Sequence, residues 1–279
     1  MEKISRKSFV KGALGLGAVG ILAGCASSAS STAASASSTA APAEKKEFTF
    51  ADTVRWDAQY DVVVMGMGAA GMVAAKTAAD NGAKVVIVEK CEEGKAGGNT
   101  KVCGQLFAYA NGDKDAAKSY YTALAGGRDI EPEIIDAISE GVANMADILA
   151  DEFGFNKDEY MDWTGVNVGG TNMGAMSPEY PEMPGHEKMA LWTTHAGASD
   201  GYLYQGLKQN VTDRVDAIDV WYSSPAKSLI QDPVTKTVVG VTVERDGKEM
   251  NIRALNGVCI CTGGFECNKE MVQHYLNVI

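Results

Sequence analysis

Tyr60-Asp-Val-Val-Val-Met65, the hexapeptide Gly66-Met67-Gly68-Ala69-Ala70-Gly71 and the Ala-rich run that follows to Asp80 decide how this chain folds. The first six residues are a β-branched run suited to a strand, the glycines make a tight turn, and the Ala-rich run continues as helix. Asn81-Gly82 stops that helix. Lys84-Val-Val-Ile-Val88 reads as a second buried strand, with Glu89 at its end, 18 residues after Gly71. Each part has a physical task. Gly66 allows the turn, Gly68 lets the backbone approach a pyrophosphate, and Gly71 lets the helix pack on the strand. The helix start at Ala69 and Ala70 turns N–H groups toward anionic oxygens. Glu89, with Lys90 beside it, stands at the ribose end, where a carboxylate accepts from hydroxyls and repels a 2′-phosphate. Strand, turn, helix, strand and terminal carboxylate together predict an α/β fold binding an adenine dinucleotide, with FAD and NAD both open at this point.

Composition bounds what surrounds this unit. With 279 residues and 46% hydrophobic, the chain is long enough for a substantial core. A balance of 25 Lys+Arg against 36 Asp+Glu, net −11, argues against nucleic acid as a partner. No apolar run approaches the length of a permanent membrane span. Met1 to Lys11 is basic, Gly12 to Gly24 is weakly apolar, and Cys25 follows, the layout of an export signal. Ser5-Arg6-Lys7-Ser8-Phe9-Val10-Lys11 resembles a twin-arginine signal, with Lys7 at the second arginine. Leu22-Ala23-Gly24-Cys25 resembles the lipobox of bacterial lipoproteins, which implies lipidation of Cys25 and attachment to the outer face of the cytoplasmic membrane. Ala26 to Ala43 contains only Ala, Ser, Thr and Pro and reads as a disordered tether. The expected organisation is a signal over 1–25, a linker over 26–50 and a folded domain over 51–279.

Beyond the fingerprint lies Gly97-Gly98-Asn99-Thr100-Lys101-Val102-Cys103-Gly104. The glycine pair permits a chain path against a flat ring system, and Asn99 and Thr100 offer short hydrogen-bonding side chains there. Read alone, the segment is equally a plain loop. Near the end of the chain, Gly257-Val-Cys-Ile-Cys261 reads as a buried strand and runs into Thr262-Gly263-Gly264-Phe265 with Asn268. Fingerprint, Gly97–Gly104 and Thr262–Phe265, in that order, resemble the fumarate reductase and succinate dehydrogenase flavoprotein superfamily, in its soluble branch of flavocytochrome fumarate reductases, urocanate reductases and ketosteroid dehydrogenases. The resemblance implies a Rossmann-like FAD-binding domain (GR2-type) carrying a β-hairpin or meander insertion, and FAD as cofactor. It implies flavin contacts at Gly98, Asn99, Thr100 and Gly104, a dinucleotide lining at Thr262, Gly263 and Gly264, and a backbone contact to adenine at Ala226. Gln105 stands where the family has a second glycine, and Cys261 where it has alanine.

Between these motifs, Asp129 and Glu131-Pro132 read as a helix start. Ile134, Ile135, Ile138, Val142, Met145, Ile148 and Leu149 follow at helical spacing, and the family's single long helix is expected here, closed by Gly154. Asp162 to Thr194 matches no family segment and reads as a loop that shapes a pocket or covers a partner surface. Gly201 begins another helix, and Ala217 to Tyr222 is a strand. Thr237–Arg245 and Glu249–Ala254 form a hairpin turned at Asp246-Gly247. Cys259 and Cys261 are expected within a buried parallel strand, and with Cys91, Cys103 and Cys267 they form no recognisable metal spacing, so no metal is expected. His186, His195 and His274 are isolated, and no catalytic residue is nominated.

In the resembling enzymes a capping domain and a last returning stretch follow the Thr-Gly-Gly-Phe segment, and the cap supplies the proton donor. This chain ends about fifteen residues past Gly264, so both the capping domain and the C-terminal part of the FAD domain are expected to be absent. The resemblance therefore implies the FAD-binding portion of an exported reductase. It would transfer a hydride to an activated double bond of a small fumarate-like or enone acceptor and take electrons from a cytochrome, a quinol-linked protein or a flavin protein. The alternatives are a non-catalytic or split-enzyme FAD-binding subunit whose cap lies on a separate chain, a truncated fragment, and an NAD-binding Rossmann protein. Whether the chain is by itself an enzyme stays open at this level.

Overall fold

β1 (Ala58–Met65) leads through the glycine turn into α1 (Ala69–Asp80) and on to β2 (Val85–Val88), the order expected from the fingerprint. This computed structural model describes residues 48–164, 167–168, 171–172, 180–197 and 200–276, so the proposed signal, Cys25 and most of the tether lie outside the described residues. The chain divides into two units, Met1–Val54 and Arg55–Ile279. In the first, Phe50–Thr53 forms one 3-10 turn, and the Asp52 carboxylate accepts from both the backbone amide and the hydroxyl of Thr49 at 2.9 Å.

In the second unit the order continues with α2 (Gly98–Val102), β3 (Leu106–Tyr109), α3 (Lys114–Leu124), α4 (Pro132–Ala143) and α5 (Met145–Phe153). β4 (Met161–Asp162), β5 (Asn167–Val168), β6 (Thr171–Asn172), β7 (Ala190–Thr193) and α6 (Tyr202–Thr212) follow. β8 (Ile218–Trp221), β9 (Ala226–Gln231), β10 (Val238–Arg245), β11 (Lys248–Ile260) and α7 (Lys269–Tyr275) complete it.

The main sheet has the order β8-β2-β1-β11-β10-β9. Its first four strands are mutually parallel, and β10 runs antiparallel to both β9 and β11. Strand alternation puts Val62 and Val64 on one face and Val63 on the other, and all three are buried. Burial on both faces is what an uninterrupted valine run in a parallel strand requires. On the first face Val62, Val64, Val85 and Ile87 pack with Met72, Ala75, Leu207, Val211 and Phe153 from α1, α6 and α5. On the second, Val63, Val86 and Val88 cluster with Val241, Val243 and Ile252. Burying each such aliphatic side chain contributes roughly 1.5–3 kcal/mol.

The end of α1 is tied to the residues after α6 by a charged cluster. Nζ of Lys76, a buried side chain, donates to Asp80 Oδ2 at 2.7 Å, and the Arg214 guanidinium reaches both Asp80 oxygens. Arg214 and Lys76 hold the Asp80 carboxyl below its ordinary range against a smaller opposing effect of burial.

Four expectations change. The helix after Pro132 is two helices, α4 and α5, separated at Asn144, whose ψ of 11° leaves the helical region. Its backbone and side-chain amides both donate to the Glu140 carbonyl, at 3.2 and 3.0 Å, which closes α4 there. The buried stripe of α4 is Ile135, Ser139 and Val142, which leaves Ile134 and Ile138 exposed. Glu249–Ala254 and Gly257–Cys261 are one strand rather than two. β11 absorbs an irregularity opposite Tyr60 and Val62, where Gly257 takes φ +139°. The inserted hairpin is thus continuous with the parallel sheet and gains β9 as a third strand, with Asp246 and Gly247 both at positive φ in the turn.

Cys259 and Cys261 are half-buried rather than enclosed, because β10 reaches only to Arg253 in the register and leaves the far edge of β11 uncovered. The unassigned stretch 162–194 contributes β7 and the last residue of β4, which join β3 in a small sheet of order β3-β7-β4. The described part of its middle is the β5–β6 pair.

Candidate dinucleotide cleft

The three glycine-bearing segments meet at the C-terminal ends of β1 and β11. Gly66 has φ +99°, and a Cβ there would stand 2.5 Å from the Cys261 carbonyl oxygen and 3.4 Å from Thr262 Cα, so the first turn lies directly on the Thr262-Gly263-Gly264 turn. A Cβ on Gly71 would run into the Gly66 carbonyl oxygen, which confirms its helix-packing task. Gly68 has Thr100 Oγ1 as its nearest neighbour at 3.7 Å, and Gly98 and Gly263, both at positive φ, have no atom within 4 Å of where a Cβ would be. The faces of these three glycines are open where the others are tightly filled.

Gly97-Gly98-Asn99-Thr100 is the start of a short helix rather than a loop, with Gly97 at φ +119° and Gly98 at +52°. Residues outside the sequence motifs hold it in place. The Tyr204 ring fills the space beside Gly97, and its hydroxyl donates to the Ala96 carbonyl at 3.1 Å. Gln105 is buried at φ +63°, the left-handed conformation for which glycine is usual. Its side-chain amide donates to the Thr100 and Cys103 carbonyls at 2.7 and 3.1 Å, while its Oε1 accepts from the Tyr204 amide at 3.1 Å. Three hydrogen bonds offset the backbone strain, so the departure from glycine keeps the turn.

Thr100 Oγ1 accepts the Ala69 amide at 2.9 Å, and Ala70 is exposed at the same helix start. Glu89 is buried, with Oε2 accepting from the Met67 amide and Oε1 from the Cys91 amide, each at 2.9 Å. The carboxylate expected at the ribose therefore also ties the glycine turn to the end of β2. The Ser224 amide donates to the Glu89 carbonyl at 2.8 Å, which brings Ala226, first residue of β9, to the same end of the cleft. Lys90 is exposed beside Glu89, and Gly104 lies against Leu106. Across the opening, Asn99 Nδ2 donates to Glu266 Oε1 at 2.7 Å.

Sequence reasoning missed Met67, Gln105, Tyr204, Ser224 and Glu266 as participants. Only Gln105 carried a signal, as an exception at a glycine position. Each histidine ring is engaged locally: His186 Nδ1 with the Met183 carbonyl, His274 Nδ1 with the Glu270 carbonyl, and His195 with Asp200 at 2.9 Å and the Gly197 amide. Among the described residues no group of three or more His, Cys, Asp or Glu is arranged to hold a metal. A surface hollow bounded by Phe153, Phe155, Tyr202 and Asp213 contains none of the site residues. The cleft is defined by backbone donors and bare glycine faces rather than by depth.

Backbone N–H groups at a helix start, open glycine faces and a buried carboxylate at the second strand end suit an adenine dinucleotide. Residues 61–278 match the FAD binding domain family. The chain is 30% identical over 226 residues to the NADH:fumarate oxidoreductase of Klebsiella pneumoniae, a match covering 77% of this chain and 22% of that protein. It is 29% identical over 222 residues to the cytochrome fumarate reductase of Shewanella frigidimarina, covering 76% of this chain and 34% of that one. The 3-ketosteroid delta1-dehydrogenase of Sterolibacterium denitrificans superposes with a TM-score of 0.63 at 21% identity, over 78% of this chain and 50% of that one. The chain thus spans half or less of the length of these proteins. It belongs to the FAD binding domain family, and its relatives include fumarate reductases and a 3-oxosteroid 1-dehydrogenase.

Proposed function

We propose that this chain is the FAD-binding portion of an exported, lipid-anchored flavoprotein reductase. It would serve hydride transfer to the activated double bond of a fumarate-like or enone acceptor, with electrons from a cytochrome, a quinol-linked protein or a flavin protein. The observation that carries the reading is the convergence of Gly66–Gly71, Gly97–Thr100 and Thr262–Gly264 on one cleft. Bound FAD supplies the two-electron chemistry. The chain's own residues bind and orient it: Gly68, Ala69 and Ala70 face the pyrophosphate, Glu89 the adenosine ribose, Ala226 the adenine, and Asn99, Thr100 and Gly104 the flavin. Cys25 would carry the lipid and hold the protein at the outer face of the cytoplasmic membrane.

The test is reconstitution. Purified chain mixed with FAD and passed through a desalting column is expected to retain flavin with a shifted absorption spectrum. Loss of all flavin on the column sinks the reading. Export is tested separately by fractionating cells that express the full chain and its Cys25→Ala variant; the variant is expected to leave the membrane fraction.

One observation favours further polypeptide, in this chain or on a separate one, beside the FAD-binding portion. From Leu255 to Ile260 the outer edge of β11 has no strand partner among the described residues, and Leu255 and Ile260 are 48% and 63% exposed. An uncharged, apolar parallel edge is suited to pairing with further polypeptide. A chain that holds FAD but reduces neither fumarate nor an enone with a strong artificial donor, and gains activity when a cap-bearing polypeptide is added, supports that arrangement.

A further inference from the structure

The Asn99–Glu266 bridge sets a carboxylate in the cleft that no dinucleotide fingerprint requires. Asn99 lies in the first turn of α2 and Glu266 two residues past Gly264, and the 2.7 Å hydrogen bond joins them across 167 residues of sequence. The second Glu266 oxygen lies over Gly264, where a Cβ would run into it, so the missing side chain leaves this place to the carboxylate. The carboxyl accepts from its own backbone amide and from Asn99, which hold it below the usual carboxylate range with no cation contributing. It is charged at neutral pH, and among the described residues no cation is paired with it.

We propose that Glu266 is a cofactor-site residue whose fixed negative charge lowers the electron affinity of bound FAD. The proposal rests on the reading that Asn99 contacts the flavin and that Thr262–Gly264, from which Glu266 follows, line the dinucleotide. Two-electron reduction with uptake of one proton, FAD + 2e⁻ + H⁺ → FADH⁻, leaves an anion on the ring system, and a carboxylate beside it opposes that charge. Asn99 acts as a positioning residue by keeping the exposed carboxylate over Gly264. The reduced domain is then a stronger reductant than it would be with a neutral side chain there.

The test uses the FAD-loaded full chain, titrated with dithionite against a reference dye, with Glu266→Gln and Asn99→Ala compared to the unaltered protein. Glu266→Gln is expected to retain FAD within about twofold of the parent affinity. At equal dye ratio its reduced-to-oxidised flavin ratio should rise about fivefold, ~20 mV for a two-electron couple. Asn99→Ala is expected to shift the ratio in the same direction by less, and 1 M salt should shrink both shifts. A Glu266→Gln flavin that titrates with the parent at low salt, while still bound, overturns the assignment and leaves the FAD reading standing. A parent chain that fails to hold FAD overturns both.

Discussion

The backbone amide of Met67 donates to Oε2 of Glu89 at 2.9 Å, a contact between the glycine turn and the end of β2. The other Glu89 oxygen accepts the Cys91 amide. One buried carboxylate thus satisfies two backbone donors and shapes the turn. Glu89→Ala leaves both donors unpartnered, and each such group costs roughly 1–3 kcal/mol. Urea unfolding of the FAD-free chain is therefore expected to show a loss of about 2–4 kcal/mol. A residue serving the ribose alone would leave the FAD-free stability unchanged, which is the result that contradicts this role.

Acid acts through Asp80. Its folded carboxyl titrates below the ordinary value of 3.8 because Arg214 and Lys76 favour the charged form. The unfolded chain therefore takes up the proton first as pH falls. The stabilisation is complete above pH 3.8 and is lost as pH drops through the lower folded value. Asp80 is partly exposed, so Asp80→Asn is expected to cost about 1 kcal/mol at pH 7 after allowance for solvent screening. Urea midpoints of parent and variant should keep a constant gap from pH 7 to pH 5 and converge below pH 4. A gap that widens in acid contradicts the assignment.

Two glycines of the cleft should answer differently to alanine. At Gly71 the new methyl meets the Gly66 carbonyl oxygen at the crossing of helix and strand, and backbone cannot yield cheaply. Gly71→Ala is expected to destabilise by about 3 kcal/mol or more and to lower soluble yield. At Gly263 there is open space and φ +78°, so Gly263→Ala should cost only about 1 kcal/mol of backbone strain. That variant should fold but retain FAD less well, because the methyl stands on the open face. Circular dichroism with flavin retention separates the two cases. Equal stability losses would mean that Gly263 is not at an open face.

Thiol labelling reads the uncovered sheet edge. Cys103 and Cys267 are exposed, whereas Cys259 and Cys261 are half-buried and burial pushes their thiols up in pKa. A neutral thiol reagent at pH 8 should modify Cys103 and Cys267 first and Cys259 and Cys261 only slowly, with all reacting rapidly in urea. Bound FAD should slow Cys103, which follows α2 directly. Peptide mapping after timed quenching gives the order, and labelling of Cys261 as early as Cys103 would contradict its half-buried placement.

Local residues carried much of the architecture. The valine runs of β1 and β2, the stop at Asn81-Gly82 and the Asp246-Gly247 turn each act within a few residues, through sterics and burial pattern, and each appears where its spacing places it. The glycine tasks at Gly66 and Gly71 were readable for the same reason: the forbidden Cβ positions follow from the turn itself. What failed locally was the helix after Pro132, where apolar spacing continues through Asn144 but the backbone leaves the helical region at that residue. Burial of the 259–261 strand also failed, because it depends on how far β10 extends.

By itself the sequence determined the strand–turn–helix–strand unit, its dinucleotide chemistry and the family to which the chain belongs, since these rest on short-range backbone geometry repeated in a recognisable order. Only the tertiary structure decided which side chains complete the cleft. Tyr204 holding the Gly97 turn, Gln105 bridging α2 to α6, and Glu266 reaching Asn99 join residues separated by about a hundred positions or more. No periodicity links such pairs along the chain. They meet because the parallel sheet carries the C-terminal ends of β1 and β11 to one end of the sheet, and there packing and hydrogen-bond satisfaction select the partners.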